Sequence, residues 1–147
     1  MILVGFTGTQ RGMTGRQKLV IGEMLSDTRG VIARHGDCVG ADDEFDYLCA
    51  VRGVQVAIHP CDIPGKRAYC ADKHSRRDRH VHYVADPLPP LERNQVIVDR
   101  SEILIAAPAG FEEELRSGTW STVRRARKRG IPVIIVLPDG RIQVEES

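Results

Sequence analysis

The stretch Pro89–Pro138, PPLERNQVIVDRSEILIAAPAGFEEELRSGTWSTVRRARKRGIPVIIVLP, decides the fold of this 147-residue chain. It contains two apolar runs, EILIAAP from Glu102 and IPVIIVLP from Ile131, in which apolar and polar residues do not alternate. An amphipathic segment precedes each run, LERNQVIVDRS before the first and GTWSTVRRARKRG before the second. Continuous apolar strands joined by helices are typical of a parallel sheet that is covered on both faces. The stretch therefore predicts helix, strand, helix and strand in that order.

The same alternation continues toward the N-terminus. ILVGFT reads as a strand, and Thr14 can cap the helix that follows it. GVIARHG and VQVAIHP read as two further strands, with ADDEFDYLCAVRG as the helix between them and Gly53 as its stop. HVHYVA is a shorter strand, and the last residues, QVEES, read as an acidic tail. The pattern predicts an α/β fold, a Rossmann-like three-layer sandwich with a mostly parallel sheet, as a single domain over residues 1–147.

Composition and charge narrow the class of protein. A formal net charge of +1 gives no overall attraction to nucleic acid or to an anionic membrane. The first apolar run is too short for a secretory signal, and no later run has the length of a membrane span. The four cysteines contain no CxxC pair and do not suggest a disulfide framework. We expect a cytoplasmic protein without a cofactor or a membrane partner.

In open parallel sheets, ligands bind beyond the carboxyl ends of the strands, where the free amides of helix N-termini favour anions. Four loops occupy that position in this sequence. The first loop, TGTQRGMTG (7–15), offers small residues for close backbone approach, hydroxyls and a cation. Its candidate ligand-binding residues are Gly8, Thr9, Gln10 and Arg11. In the alternative interpretation, the glycines of this loop serve only the geometry of the turn.

The second loop, HGDCVGADDEFD (35–46), places several carboxylates near the start of a helix. Gly36 and Gly40 bracket the turn, and Asp37, Asp42 and Asp43 crowd the helix N-terminus. Carboxylates at that position stabilise a helix through its dipole. In the other interpretation, one of the aspartates binds a ribose hydroxyl or a base edge of a ligand.

The third loop, PPLERNQ (89–95), contains a polar residue on an apolar helical face. Asn94 shares that face, and buried polar groups need partners, so we expect Asn94 and the neighbouring Arg93 at the cleft. In the alternative interpretation, Asn94 bonds to nearby backbone and Arg93 forms a salt bridge with Glu92 or Asp99.

The fourth loop, AAPAGFEEELRSGTW (106–120), leaves its strand at Pro108 and enters a helix at Ser117 or Gly118. The amides of Gly118 and Thr119 would form a cradle for an anion. Three glutamates precede that cradle: Glu112, Glu113 and Glu114. They would repel a phosphate unless they point elsewhere, which suggests a ligand-facing flap or a carboxylate with a catalytic role.

Residues 59–90 form a polar and basic segment that we interpret as a possible inserted lid. Its basic residues could reach across the cleft to ligand phosphates: Lys66, Arg67, Lys73, Arg76, Arg77 and Arg79. A zinc site would be possible with four residues of the segment: His59, Cys61, Cys70 and His74. Because that spacing is unlike the common zinc ribbons, an unmetallated loop is the preferred interpretation.

The motifs FTGTQR, HGDCVGADDEFD, ERNQVIVDRSEILIAAP and RSGTWSTVRRARKRGIPVIIV, in this order, resemble the SLOG superfamily. That group includes the DNA processing protein A (DprA) core, the Lonely guy phosphoribohydrolases and the YspA-like proteins, whose G-[ST]-R, G-A-x-G-A-D and R-N motifs are the most similar. The resemblance implies a homodimer or tetramer and a nucleotide-derived ligand at nine positions: Gly8, Thr9, Gly36, Gly40, Asp42, Arg93, Asn94, Gly118 and Thr119.

Three positions depart from the family patterns. Gln10 stands where the first motif has arginine, with Arg11 next to it, and Val39 stands where the second motif often has arginine. Thr122 occupies the position of the catalytic glutamate of the Lonely guy motif. A hydroxyl cannot stabilise a developing oxocarbenium ion as a carboxylate does, so hydrolysis would require a replacement from the three glutamates of the fourth loop.

These observations lead to three hypotheses for the function. In the first, the protein binds a cyclic nucleotide or an ADP-ribose derivative as a sensor or sequestering protein in prokaryotic or phage defence. In the second, it hydrolyses a nucleotide N-glycosidic bond, with a glutamate of the fourth loop as the carboxylate and Arg93 on the phosphate. Single-stranded DNA binding comes third, since only 5% of the residues are aromatic and the basic run VRRARKRG suits a solvated helix end.

Overall fold

The computed structural model describes residues 2–26, 30–74 and 80–147. These residues form a seven-stranded sheet with the order β4-β3-β2-β1-β5-β6-β7. Its strands are β1 (Ile2–Gly8), β2 (Val31–His35), β3 (Gln55–Ile58), β4 (Val81–Val84), β5 (Ile103–Ala107), β6 (Val133–Val136) and β7 (Ile142–Glu145). All neighbouring pairs are parallel except β6 and β7. The chain therefore has the mostly parallel sheet that its apolar runs predict.

Helices cover both faces of this sheet. They are α1 (Gly15–Met24), α2 (Ala41–Arg52), α3 (Cys70–His74), α4 (Pro90–Asp99) and α5 (Gly118–Arg129). Two apolar clusters show the layers: Ile105 of β5 packs with residues of α1 and α2, whereas Leu104 packs with residues of α4 and α5. Because successive side chains of a strand point to opposite faces, these clusters lie on opposite sides of the sheet. The three-layer α/β architecture is confirmed.

The start of α1 is tied to the strands behind it. Thr14 and Gln17 form a capping box, in which the Gln17 amide donates to the Thr14 hydroxyl at 3.1 Å and the Thr14 amide donates to Gln17 Oε1 at 2.9 Å. The buried Gln17 Nε2 also donates to the carbonyls of Pro108 at 2.8 Å and Val136 at 2.9 Å. One side chain thus joins the ends of β5 and β6 to the loop that follows β1.

The acidic tail predicted from QVEES is wrong. Residues Ile142–Glu145 form β7, which pairs with β6 in the antiparallel direction at the edge of the sheet. Gly140 adopts a φ of 88° in the turn before β7, a conformation that glycine reaches without steric cost. Ile142 and Val144 remain largely exposed. Backbone pairing with β6, rather than burial, holds this strand.

Residues 59–90 are partly built into the sheet. Their strand β4 pairs with β3, and bridges join Cys61 to Leu88 and Cys38 to Arg67. A 3-10 turn at Pro64–Lys66 and the short α3 lie between these contacts. That this segment acts as a lid stays a prediction. None of the helices in the described ranges has the length and apolarity needed to cross a lipid bilayer.

Candidate functional site

A cleft of about 560 Å³ lies at the carboxyl ends of the central strands. All four loops contribute to its walls, as expected for a sheet whose strand order reverses beside β1. Most of the predicted ligand-binding residues line it: Gly8, Thr9, Gln10, Arg11, Gly36, Asp42, Arg93, Asn94, Ser117, Gly118 and Thr119. The structure therefore brings together residues that are more than 100 positions apart in the chain.

Three predicted ligand-binding residues lie outside the cleft lining, and each has a structural contact instead. The Asp37 carboxylate accepts hydrogen bonds from the Arg67 guanidinium at 3.2 Å and from the Cys70 amide at 2.8 Å. The Pro108 carbonyl accepts from Gln17. Gly40 has a φ of 89° and packs so closely on the backbone of Gln10 that an added Cβ would overlap it. These positions shape the walls without facing the cleft.

Asp42 organises the second loop. Its Oδ2 accepts hydrogen bonds from the backbone amides of Gly36 at 3.2 Å and Cys38 at 3.1 Å. Burial raises the pKa of the Asp42 carboxyl above its usual value, although the charges of His35 and Arg93 and the two amides act in the opposite direction. Asp42 lies in the first turn of α2, but its hydrogen bonds go to amides of the loop that precedes the helix. It also belongs to the residues that line the cleft.

Arg93 is a buried cation in the wall of the cleft, with 7% of its surface exposed. Its guanidinium donates to the carbonyls of Gly36 and His59 and to Asn94 Oδ1, the last at 2.8 Å. The alternative salt bridges with Glu92 or Asp99 do not form, and no carboxylate of the described residues hydrogen-bonds Arg93. Buried charges are normally paired, so this guanidinium carries a positive potential that an anion in the cleft would feel.

The N-terminus of α5 has the form of an anion cradle. The Ser117 hydroxyl caps the helix by accepting from the Trp120 amide at 3.2 Å, and the Ser117 carbonyl accepts from the Ser121 amide at 2.9 Å. Within the described part of the chain, the amides of Gly118 and Thr119 have no hydrogen-bond acceptor. Both residues line the cleft, so two free N–H groups and the positive end of the helix dipole meet there.

The three glutamates of the fourth loop separate in the structure. Glu113 forms ion pairs with Arg124 at 3.0 Å and Arg127 at 2.8 Å, and hydrogen bonds from those arginines lower the pKa of its carboxyl. Glu112 does not line the cleft, whereas Glu114 does. Of the three predicted catalytic carboxylates, Glu114 is therefore the one that the structure places at the cleft.

Positive charge predominates in the cleft wall. The charged residues that line it are four cations and two carboxylates: Arg11, Lys66, Arg93, Arg116, Asp42 and Glu114. Arg11, Lys66 and Arg116 are exposed, and none of them forms an ion pair with another described residue. Lys66 and Arg116 are missing from the sequence-based site, although Lys66 belongs to the basic run of the possible lid and Arg116 immediately precedes the cap of α5.

Cys38 is a lining residue that the sequence does not single out. Its sulfur lies 3.5 Å from Arg93 Nη2, and 7% of its surface is exposed. Burial raises the pKa of the Cys38 thiol to about 11. The thiol is therefore protonated near neutral pH, and a protonated thiol is a poor nucleophile.

The basic run of residues 59–90 is only partly directed at the cleft. Lys66 lines it, whereas Arg67 contacts Asp37 and Lys73 forms an ion pair with Asp43 at 2.7 Å. Those two side chains satisfy carboxylates of the protein itself instead of reaching toward a ligand. Arg76, Arg77 and Arg79 lie outside the described residues.

The four residues considered for a zinc site do not form one group. His59 Nε2 lies 2.9 Å from Arg34 Nη1, and burial followed by the charge of Arg34 lowers the pKa of His59 to about 4. Among the described residues, Cys70 and His74 instead gather with Asp43. Of the four residues considered for zinc, Cys70 and His74 lie together, and His59 lies with Arg34 instead.

No protein-family model and no curated protein matches this chain. Solved structures do match. DNA processing protein A from Streptococcus pneumoniae superposes with a TM-score of 0.68 at 18% identity, over 92% of this chain and 50% of that one. The molybdenum cofactor binding protein from Rippkaea orientalis gives a TM-score of 0.67 at 18% identity, over 92% of this chain and 76% of that one.

A third match is DNA processing protein A from Helicobacter pylori, whose structure concerns a single-stranded DNA binding mode. It gives a TM-score of 0.61 at 19% identity, over 91% of this chain and 64% of that one. The chain thus spans about half to two thirds of the length of the two DprA proteins. At this identity the matches establish the fold alone, and that fold is the one the resemblance implies.

Proposed function

We propose that the cleft binds a nucleotide or a nucleotide-derived molecule, with a phosphate at the N-terminus of α5. The observation that carries this proposal is the pair of free amides of Gly118 and Thr119, two residues that line a cleft whose charged groups are mainly cations. Backbone amides at a helix start and nearby guanidinium groups are the usual ligands of phosphate oxygens. Arg116, one residue before the cap, supplies such a group at the cradle itself.

The remaining walls suit the other parts of a nucleotide. Asn94 uses its carbonyl oxygen to accept from Arg93, so its side-chain amide hydrogens remain for a ligand hydroxyl or a base edge. Leu91, Ile97 and Trp120 add apolar surface against which a planar ring can pack. A cavity of about 560 Å³ lies within the range of roughly 300–1,000 Å³ that is typical of small-molecule sites. A cyclic nucleotide or an ADP-ribose derivative combines these features, and retention of such a molecule would suit a sensor or sequestering protein in prokaryotic or phage defence.

Thr122 favours binding over hydrolysis. Its hydroxyl is nearly fully buried and donates to the Gly118 carbonyl at 3.0 Å. It therefore helps to hold the first turn of α5 and is not available to assist a glycosidic bond cleavage.

The test is a binding measurement by calorimetry on the full chain with AMP, cyclic AMP and ADP-ribose, each compared with adenosine. We expect the phosphate-bearing compounds to bind at least about tenfold more tightly than adenosine, since an anion cradle contributes on the order of 1.4 kcal/mol or more. A Gly118→Leu variant should lose that advantage while remaining folded, because an added Cβ at Gly118 meets no atom within 4 Å.

Gly15→Leu is the matched control. Gly15 is the first residue of α1 after a threonine cap, as Gly118 is of α5 after a serine cap, and a Cβ there also meets no atom within 4 Å. Gly15 does not line the cleft, so this variant should bind like the wild type. Equal affinity for adenosine and the phosphate compounds, or unchanged affinity in Gly118→Leu, would refute the proposed phosphate site.

Hydrolysis of an N-glycosidic bond is the second candidate, and Glu114 is the observation that favours it. This carboxylate lines the cleft and forms no ion pair with another described residue. Chromatography of each nucleotide after incubation detects release of free base. Base release that disappears in Glu114→Gln but not in Glu112→Gln would assign the reaction to Glu114, whereas binding without release supports a binding protein.

Single-stranded DNA is the third candidate, because the fold also occurs in the DprA proteins. Competition by a short oligonucleotide distinguishes it from the mononucleotide ligand. An oligonucleotide that binds better than every mononucleotide, in a manner that weakens steeply with salt, would favour nucleic acid. Native mass spectrometry of the purified protein identifies any small molecule that it retains, together with the number of chains in the expected homodimer or tetramer.

A further inference from the structure

We propose that Asp43, Cys70 and His74 bind a zinc ion. Their donor atoms, a carboxylate oxygen, Sγ and Nε2, all lie within 4.8 Å of one another. Asp43 Oδ1 is 2.7 Å from His74 Nε2 and 3.8 Å from Cys70 Sγ. This group lies outside the cleft lining, so the inference is independent of the proposed nucleotide site.

The local structure presents the three donors from two elements. Cys70 and His74 are the first and last residues of α3, and a separation of four places them on the same helical face. The Cys70 amide donates to Asp37 Oδ1 at 2.8 Å, which fixes the start of that helix. Asp43 projects from the first turn of α2, and Lys73 Nζ holds its other oxygen, Oδ2, at 2.7 Å. The Oδ1 atom is thereby oriented toward the cysteine and the histidine.

The donor set selects the metal. A thiolate with an imidazole and a carboxylate suits Zn²⁺, whereas Mg²⁺ and Ca²⁺ prefer oxygen ligands alone. A tetrahedral zinc ion with ordinary bond lengths would place sulfur about 3.6 Å and nitrogen about 3.4 Å from the carboxylate oxygen. The sulfur already lies at 3.8 Å, and the nitrogen at 2.7 Å would move outward by about 0.7 Å as the metal replaces its direct hydrogen bond.

The site has an entry path and a suitable charge. The Asp43 and His74 side chains are 28% and 18% exposed, whereas Cys70 is buried behind them. Water can therefore fill the fourth position, which is the arrangement of three-ligand zinc sites. On binding, the Cys70 S–H bond breaks, its proton passes to solvent and the sulfur lone pair forms the bond to zinc. The resulting complex of Zn²⁺ with one thiolate and one carboxylate is neutral, and Lys73 remains on Oδ2.

Such an ion would fasten α3 to α2. The chain between β3 and α3 contains Lys66, which lines the cleft, so the metal would also restrict the segment that carries this cation.

The test uses the untagged full chain, reduced and stripped of metal with a chelator. We expect it to bind one Zn²⁺ per chain in a competition titration, and to bind Co²⁺ with the near-ultraviolet charge-transfer band of a cobalt thiolate. His74→Gln should weaken zinc binding at least about tenfold, and Cys70→Ser should abolish the thiolate band. Because Cys70 is buried and its replacement can unfold the protein, the partly exposed His74 carries the decisive comparison.

His82→Gln is the control, since His82 is an exposed histidine of β4 outside the group. It should bind zinc like the wild type. The proposal is overturned if the stripped protein takes up no zinc at micromolar concentration, if the cobalt complex lacks the thiolate band, or if His74→Gln binds zinc as well as His82→Gln does. The zinc measurements do not depend on nucleotide binding. They therefore test the metal site even if the separate experiment finds no nucleotide binding.

Discussion

At the residue scale, Gly8 sits where the first loop leaves the sheet and touches α2. A Cβ at this position would lie 2.5 Å from the Cβ of Ala41 and 3.1 Å from the ring of Phe6. Both neighbours are fixed, because Ala41 begins α2 and Phe6 stacks on Phe45 with ring centroids 4.1 Å apart. The absence of a side chain at Gly8 therefore allows the loop and the helix to form one wall of the cleft.

This contact predicts the effect of Gly8→Ala. The added methyl group would overpack the junction, and we expect the free energy of unfolding to fall by about 1–3 kcal/mol. Urea denaturation measures the change, with Gly15→Ala as the control because its Cβ has open space. A Gly8→Ala protein as stable as Gly15→Ala would show that α2 can move away from the loop at little cost.

Residue types near the strand ends could be predicted from the sequence, but the directions of several side chains could not. Arg93 and Thr119 reach the cleft because the helix that carries each begins at the strand-end rim. Asp37 and Glu113 point away because partners distant in sequence hold them, Arg67 for the first and Arg127 for the second. No local pattern identifies such partners, since they depend on how the completed fold brings the segments together.

At the element scale, the start of α5 depends on its cap. Removing the hydroxyl in Ser117→Ala leaves the Trp120 amide without its acceptor, and we expect a loss of about 1 kcal/mol of stability. Ser121→Ala, one turn further along the same helix, removes no cap and should be neutral or slightly stabilising. Thermal unfolding of both variants measures the difference. Equal melting temperatures would contradict the role of Ser117 as the cap.

The elements that the sequence predicts are those that bury a regular apolar pattern. Strands β5 and β6 are continuous apolar runs, and the structure buries them between helices. The two elements that the sequence did not predict lack this signal. Strand β7 keeps Ile142 and Val144 half exposed, and the five-residue α3 is held at its start by Asp37. Strand β7 depends on antiparallel pairing with the neighbouring β6, whereas α3 depends on a residue more than 30 positions earlier in the chain.

At the scale of the whole molecule, His59 makes stability depend on pH. Its pKa falls from the ordinary value of 6.5 to about 4 in the folded state, so the folded protein binds fewer protons than the unfolded chain between these values. The contribution of His59 is complete above pH 6.5 and is lost as the pH falls through 4. From the size of this shift, the loss is at most about 3 kcal/mol.

A neighbouring buried cluster does not produce the same loss. Asp46 accepts from His35 at 2.7 Å and from His80 at 2.9 Å. The hydrogen bond and charge of Asp46 raise the pKa of His35 against the effect of burial, so the stabilisation from His35 is present below pH 6.5 and is lost as the pH rises through its folded pKa. The two histidines lower the pKa of Asp46 against burial, and its contribution is lost only as the pH falls below 3.8.

The prediction is that His59→Gln removes most of the loss of stability on acidification from pH 7 to pH 4.5. Glutamine retains an acceptor for Arg34, which donates to His59 in the wild type, but it does not titrate. Urea denaturation across this range gives the free energy of unfolding for the variant, the wild type and His82→Gln. The free energy of unfolding of His82→Gln should change with pH as that of the wild type does. If the free energy of His59→Gln also follows the wild type, His59 is excluded as the source of the acid-induced loss of stability.

The position of β1 has a consequence for how the protein folds. This strand is central in the sheet and pairs with β2 on one side and with β5, about 100 residues later, on the other. During synthesis one edge of β1 stays unpaired until β5 has left the ribosome. Unpaired strand edges promote aggregation. Pairings so distant in sequence also slow folding. A chaperone that covers the unpaired edge of β1 until β5 has been synthesised would therefore reduce aggregation.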